Sequence, residues 1–184
     1  MPRIPYPDAE DLTDDVRAAI GRNPANVIRM LAGLSPGVYK GFGAFTNSLF
    51  KSSALPATLR ELAIVRVGHL CGSAYEVFQH EAFARFIGMP GSQLDAIRIG
   101  DPASPEFDEA ERAVLAFTDD VVRNVRASDE TLAALRQHLD DALVLDLIMV
   151  IGAYMTVSRF LETTGVEIDE DAIDWQGFTN EDQD

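Results

Sequence analysis

Cysteine is almost absent from this chain of 184 residues: there is one, Cys71. A single cysteine excludes an intrachain disulfide and any dithiol redox pair within one chain. Basic residues are scarce too, 15 Lys and Arg against 30 Asp and Glu, for a formal net charge of −15. That balance argues against nucleic acid and anionic membranes as partners, since both call for a basic surface. The N-terminus, MPRIPYPDAEDL, lacks the apolar core of a signal peptide, and no apolar run reads as long enough to span a bilayer. A cytoplasmic location is the default expectation. Strand-like alternation is missing, the short run Val166-Glu167-Ile168 being its sole candidate.

What remains is helical. Hydrophobic residues make up 47% of the chain and mean hydropathy is near zero, as in a globular protein. Its length fits one domain. Pro2, Pro5 and Pro7 keep residues 1–11 extended. Thr13, Asn23-Pro24, Ser35-Pro36 and Leu55-Pro56 each open a helix, and Gly72, Gly88 and Gly165 close others. Asp108, Ser128 and Asp140 or Asp141 are further start signals. A short helix is expected over 91–99, followed by a loop from Gly100 to Pro105. The run ALVLDLIMVIGAYMTVSRFL, interrupted by Asp146 and Arg159, reads as a helix at the centre of the fold or against another subunit. The expectation is an all-α protein of about eight or nine helices. It divides into an arm with short helices (1–35), a helical core (36–168) and an acidic tail (169–184), which ends in WQGFTNEDQD and reads as mobile at its end.

One stretch concentrates ionisable groups: ELAIVRVGHLCGSAYEVFQH, residues 61–80. Glu61 lies inside a helix apolar almost all round, where a carboxylate needs a partner or a raised pKa. Gly72-Ser73 breaks that helix. Ser73, Glu76 and His80 then fall three and four residues apart, on one face of the next helix. Two carboxylates and an imidazole so placed form a candidate acid–base site. Ser73-Ala-Tyr-Glu76 has equally the form of a capping box, in which both side chains serve only the helix start. Glu76 and His80 would give two corners of a metal site but no third ligand is evident, so neither metal nor cofactor is expected. His69 can share the face of Glu61 but reads as structural. His138 reads as favouring a helix end. Cys71 reads as a buried, inert thiol.

The run LPATLRELAIVRVGHLCGSAYEVFQHEAFARFIGMP resembles the core of the carboxymuconolactone decarboxylase family, which includes the AhpD-like alkylhydroperoxidases. LVLDLIMVIGAYMTVSRFLETTGVE resembles its closing helix. The resemblance implies an all-helical, AhpD-like fold and a homo-oligomer, trimer or hexamer. The AhpD-like motif is Glu, eleven residues, Cys-x-x-Cys, three residues, His; on this chain it falls on Glu61, Ser73, Glu76 and His80. Both redox cysteines are replaced, and a dithiol peroxidase mechanism needs one thiol to attack and a second to resolve. The departure fits the non-redox branch, whose lactone decarboxylases move protons without sulfur. On that likeness the expected function is a cofactor-independent lyase, a decarboxylase acting on a small acidic or lactone metabolite. His80, Glu76 and Glu61 would be catalytic, and Ser73 would bind substrate. The alternatives are an alkylhydroperoxidase relying on Cys71 and a non-catalytic helical oligomer that binds a small molecule.

Overall fold

The computed structural model describes residues 1–21, 23–101 and 103–175. Among them lie nine helices and no strand. They are α1 (Asp14–Ile20), α2 (Asn26–Leu31), α3 (Pro36–Lys51), α4 (Ala57–Cys71), α5 (Ala74–Phe86), α6 (Gly91–Ile99), α7 (Glu109–Asn124), α8 (Asp129–Leu135) and α9 (Asp141–Thr164). Residues 166–168, the one strand candidate, are irregular. The expected end of the acidic tail, 176–184, lies outside the described residues.

α4 is the hub. Every residue from Leu59 to Gly68 is buried, because α5, α6, α7 and α9 all pack on it. Leu62, Ala63, Ile64, Val65 and Val67 have no exposed surface. Each of the Leu, Ile and Val side chains among them contributes about 1.5–3 kcal/mol when buried. A helix enclosed on all sides cannot be amphipathic, which is why its charged residues matter: Arg60, Glu61 and Arg66 are all buried inside it. Arg66 is satisfied by Asp119 of α7 (2.6 and 2.8 Å) and by the Ile97 carbonyl at the end of α6 (3.0 Å).

The start signals act with different strengths. Asp108 and Glu111 form a complete capping box on α7, and Ser128 and Asp140 accept from Thr131 and Leu143 amides. Thr13 and Ser35 occupy N-cap positions without a side-chain bond. α9 corrects one expectation: it has 24 residues, and an 18-residue stretch of it with mean hydropathy 1.7 makes it long and apolar enough to cross a membrane. Here it is a core helix instead. Val144, Leu147, Val150, Ile151 and Tyr154 bury against its helical neighbours, among which are α4, α7 and α3.

Candidate active site

The turn between α4 and α5 builds the site. Gly72 takes a left-handed conformation (φ 67°) that a side chain would strain, and the Ser73 amide bonds back to the Gly68 carbonyl at 2.9 Å. α5 thereby folds directly onto α4. The helices meet closely at Gly68, where a Cβ would stand 3.1 Å from Val77 Cγ2. This approach brings the side chains of Glu61 and His80 together.

His80 Nδ1 lies 2.7 Å from Glu61 Oε2. A carboxylate only accepts, so Nδ1 is assigned as the donor and the Nε2 lone pair points the other way. Nε2 stands 3.6 Å from Glu76 Oε2. Arg60 Nε bonds the second oxygen of Glu61 at 3.2 Å, and the guanidinium lies 4.4 Å over the Phe50 ring. All four ionisable side chains are at most 5% exposed. Aromatic rings enclose the imidazole: Tyr154 meets it edge-on at 4.7 Å, and Trp175 lies at 5.3 Å.

Burial sets the protonation of this group. It pushes the Glu76 carboxyl up to about 7, with Glu61 adding to the rise and His80 opposing it. Burial also works against a charged His80, but the charge and hydrogen bond of Glu61 outweigh it, so the imidazole titrates above its ordinary 6.5. The Tyr154 phenol is held neutral by burial and by the charges of Glu61 and Glu76. Near neutral pH, Glu76 and His80 thus compete for protons across 3.6 Å.

Glu76, His80 and Gln79 face a cavity of about 260 Å³ between α2, α3, α5, α9 and the C-terminal segment. The rest of its wall is mostly apolar, including Phe42, Phe50, Val157 and Trp175. Glu61 sits behind His80 and does not line it. Ser73 is fully buried but is likewise not on the wall, and its hydroxyl makes no side-chain cap. The capping-box form is therefore not realised: Glu76 turns inward toward His80 rather than back to the helix start.

Residues 166–175 strap this site. Asp169 accepts from the Asn26 amide (2.9 Å), from Gln79 Nε2 (3.0 Å) and from the Tyr75 hydroxyl in a short bond. Gln79 Oε1 in turn accepts from the Ile173 amide at 2.8 Å. Trp175 then stacks on Phe83 at 4.7 Å.

The other candidates lie elsewhere. His69 faces Glu81 at 3.7 Å, and burial lowers its pKa. His138 is exposed beyond α8. Cys71 is half-buried in a separate cleft beside Arg159, and burial pushes its thiol pKa up. Among the described residues no group of three or more His, Cys, Asp or Glu side chains could hold a metal ion. Sequence reasoning missed Arg60, Gln79, Tyr154, Asp169 and Trp175. Only Arg60, beside Glu61 in an apolar helix, and Trp175, the single tryptophan, carried any signal.

The site spans the stretch that resembled a known family, and comparison bears this out. Residues 36–120 match the model of the carboxymuconolactone decarboxylase family. Over those residues, a little under half of the chain, the sequence is similar to this family. Among its relatives, the uncharacterized protein YdfG of Bacillus subtilis (strain 168) is 27% identical over 114 residues, covering 59% of this chain and 75% of YdfG. The crystal structure of ATU0492 from Agrobacterium tumefaciens, a protein of unknown function, superposes with a TM-score of 0.70 at 26% identity, over 74% of this chain and 94% of that one. An AhpD-core, peroxidase-related protein from Ralstonia eutropha JMP134 gives 0.80 at 23% identity, over 92% and 93%. The all-α architecture is thus the AhpD-like fold. At the positions of the dithiol motif this chain has one fully buried hydroxyl, Ser73, and one carboxyl on the cavity wall, Glu76.

Proposed function

We propose that the protein is a cofactor-independent lyase that moves protons on a small acidic or lactone metabolite. The observation that carries this reading is the buried Glu61–His80 pair at 2.7 Å with Glu76 at the opposite nitrogen. In this reading His80 Nε2 is the general base, and Glu61 holds the ring and stabilises the imidazolium that forms. Glu76, with its raised pKa, is the general acid and delivers a proton to the developing enolate oxygen. Two reactions share that enolate. In a decarboxylation the bond to the departing CO2 supplies its electron pair, and in a proton transfer the C–H bond next to the carbonyl does so. Tyr154 and Trp175 exclude water from the ring.

The peroxidase alternative has less support. A thiolate nucleophile needs a depressed pKa, and the Cys71 thiol is shifted the opposite way in a cleft away from His80. A homo-oligomer, trimer or hexamer, remains the proposed assembly; exposed Leu145, Ile148 and Met149 on α9 support it.

The test is a panel of lactones and β-keto acids followed by proton NMR in D2O, for substrate loss and for exchange next to the carbonyl. Wild-type protein should act on at least one member, and His80→Gln should lose that activity by about 100-fold or more while remaining folded. Full activity in His80→Gln would overturn the assignment.

A further inference from the structure

The cavity wall says more about the substrate than the catalytic groups do. Besides Glu76 and His80, no ionisable side chain other than the Tyr154 phenol lines it, and no Lys or Arg does so among the described residues. Arg60 does not line it and is taken up by Glu61 and covered by the Phe50 ring, and the charge that His80 can carry is likewise met by Glu61 at 2.7 Å. The stretch 176–184 that follows Trp175 contains no Lys or Arg and adds Glu181, Asp182 and Asp184. An incoming carboxylate would thus lose its hydration against apolar rings, with Glu76 as a neighbour and no lasting countercharge. The one unmet demand of the site is different. Glu76 Oε2, on a side chain 5% exposed, has no hydrogen-bond partner among the described residues. A buried polar atom of that kind calls for a ligand atom that bonds to it without bringing charge.

Resting on the acid–base reading above, we propose that the cavity takes an uncharged single-ring carbonyl compound, a lactone or cyclic ketone whose carbonyl oxygen meets Glu76, and discriminates against carboxylates. A volume of about 260 Å³ suits one ring with small substituents; an apolar cavity of about 150 Å³ already holds benzene. The raised pKa of Glu76 agrees with this, because the carboxyl carries its proton below about pH 7 and can donate to a carbonyl. With such a substrate the reaction balances without a co-reactant. The C–H bond beside the carbonyl breaks, and its proton goes to His80 Nε2. Its electron pair forms the carbon–carbon double bond of an enol, and the carbonyl oxygen takes the proton of Glu76. In a ring with a β,γ double bond the imidazolium then returns its proton to the γ carbon while the enol hydroxyl gives its proton back to Glu76, which moves the double bond into conjugation and restores both side chains; a saturated ring is reprotonated at the same carbon and shows only exchange. The preference therefore selects the lactone half of the proposed substrate class over the acidic half, and of the two reactions sharing the enolate it selects proton transfer over loss of CO2.

Trp175 is the chain's single tryptophan and lines the cavity, so its emission reports occupancy. The experiment titrates the full chain near pH 6, where Glu76 keeps its proton and the anionic probe keeps its charge, with cyclohexanone and, separately, with cyclohexanecarboxylate, which differ in charge more than in size. Cyclohexanone should give a saturable change, and the carboxylate should bind at least about tenfold more weakly. Raising the pH to 8 should weaken cyclohexanone binding in wild-type protein and not in Glu76→Gln, and Val157→Phe, which fills the cavity, should abolish the cyclohexanone response. Equal or tighter binding of the carboxylate overturns the proposal. So does a response that survives Val157→Phe unchanged, or no saturable response to either probe. The readout needs no turnover: a neutral preference in a protein without activity would sink the acid–base reading alone, and turnover of an anionic substrate would sink only this one.

Discussion

Glu61 and His80 lie 19 residues apart in the chain, on consecutive helices, and meet at 2.7 Å with neither side chain more than 5% exposed. No other histidine contacts a fully buried carboxylate among the described residues. Truncating one partner leaves a buried charge on the other, so the informative variants are isosteric. Glu61→Gln should lower activity by about 100-fold or more, because the amide holds the ring without stabilising its charged form. Steady-state rates on whichever lactone or ketone the panel identifies provide the check. An activity within twofold of wild type would remove Glu61 from the mechanism.

Glu76 makes stability depend on pH with a definite sign. Its folded pKa is raised to about 7 from an ordinary 4.5, so the folded state holds a proton that the unfolded state releases. Its contribution is complete below about pH 4.5 and disappears as pH rises through 7. The change is on the order of 3 kcal/mol, since a tenfold difference in proton affinity is worth about 1.4 kcal/mol. His80, also raised, adds a loss in the same direction above 6.5. Urea titrations from pH 4.5 to 8 should show wild-type protein weakening across this window and Glu76→Gln weakening much less. Parallel profiles for the two proteins would contradict the shift.

The strap depends on Asp169. Three donors from α5 and the start of α2 converge on it. Asp169→Ala should destabilise the protein by roughly 2–3 kcal/mol. It should also release the segment that carries Ile173 and Trp175, shifting tryptophan emission to the red before global unfolding. Unchanged emission would mean that Trp175 docks without the strap.

Gly100 carries a backbone prediction. It ends α6 at φ 71°, and a Cβ there would sit 2.1 Å from Arg66 Nη2. Gly100→Ala must displace the guanidinium that joins α4, α6 and α7, so a loss of about 2 kcal/mol or more is expected. Thermal melting measures it, and an unchanged Tm would show that Arg66 has room to move.

Cys71 separates the two enzymatic readings. Cys71→Ser should leave turnover of the lactone or ketone unchanged. Any hydroperoxide consumption that wild-type protein displays, and that this substitution removes, would favour a thiol mechanism.

The helices were legible because proline, glycine and capping residues mark their ends, and because helical periodicity survives in α3 and α7. Glu61, Glu76 and His80 were legible as a group because a glycine turn between two helices forces them together. Ser73-x-x-Glu76 misled in part: the same four letters describe a capping box, and only packing against α4 decides that Glu76 turns inward. Tyr154 was hidden inside an apolar run where nothing distinguishes a wall residue from a core one. Asp169 was hidden more deeply, since an acidic, irregular segment has no period to announce that it docks, and Trp175 in the same segment was marked only by being the single tryptophan. Likewise, α9 could not be told from a membrane span by composition, and what separates them is the set of helices packed on it.

The most direct test of the central claim follows the histidine rings themselves. Nitrogen-15 NMR of uniformly labelled protein, titrated from pH 5 to 9, should show one imidazole with its proton on Nδ1 and a pKa above 6.5, lowered in Glu61→Gln. If no ring titrates above 6.5, or if the Glu61 substitution leaves that ring unmoved, the pair does not hold a proton as described and the account of the site fails.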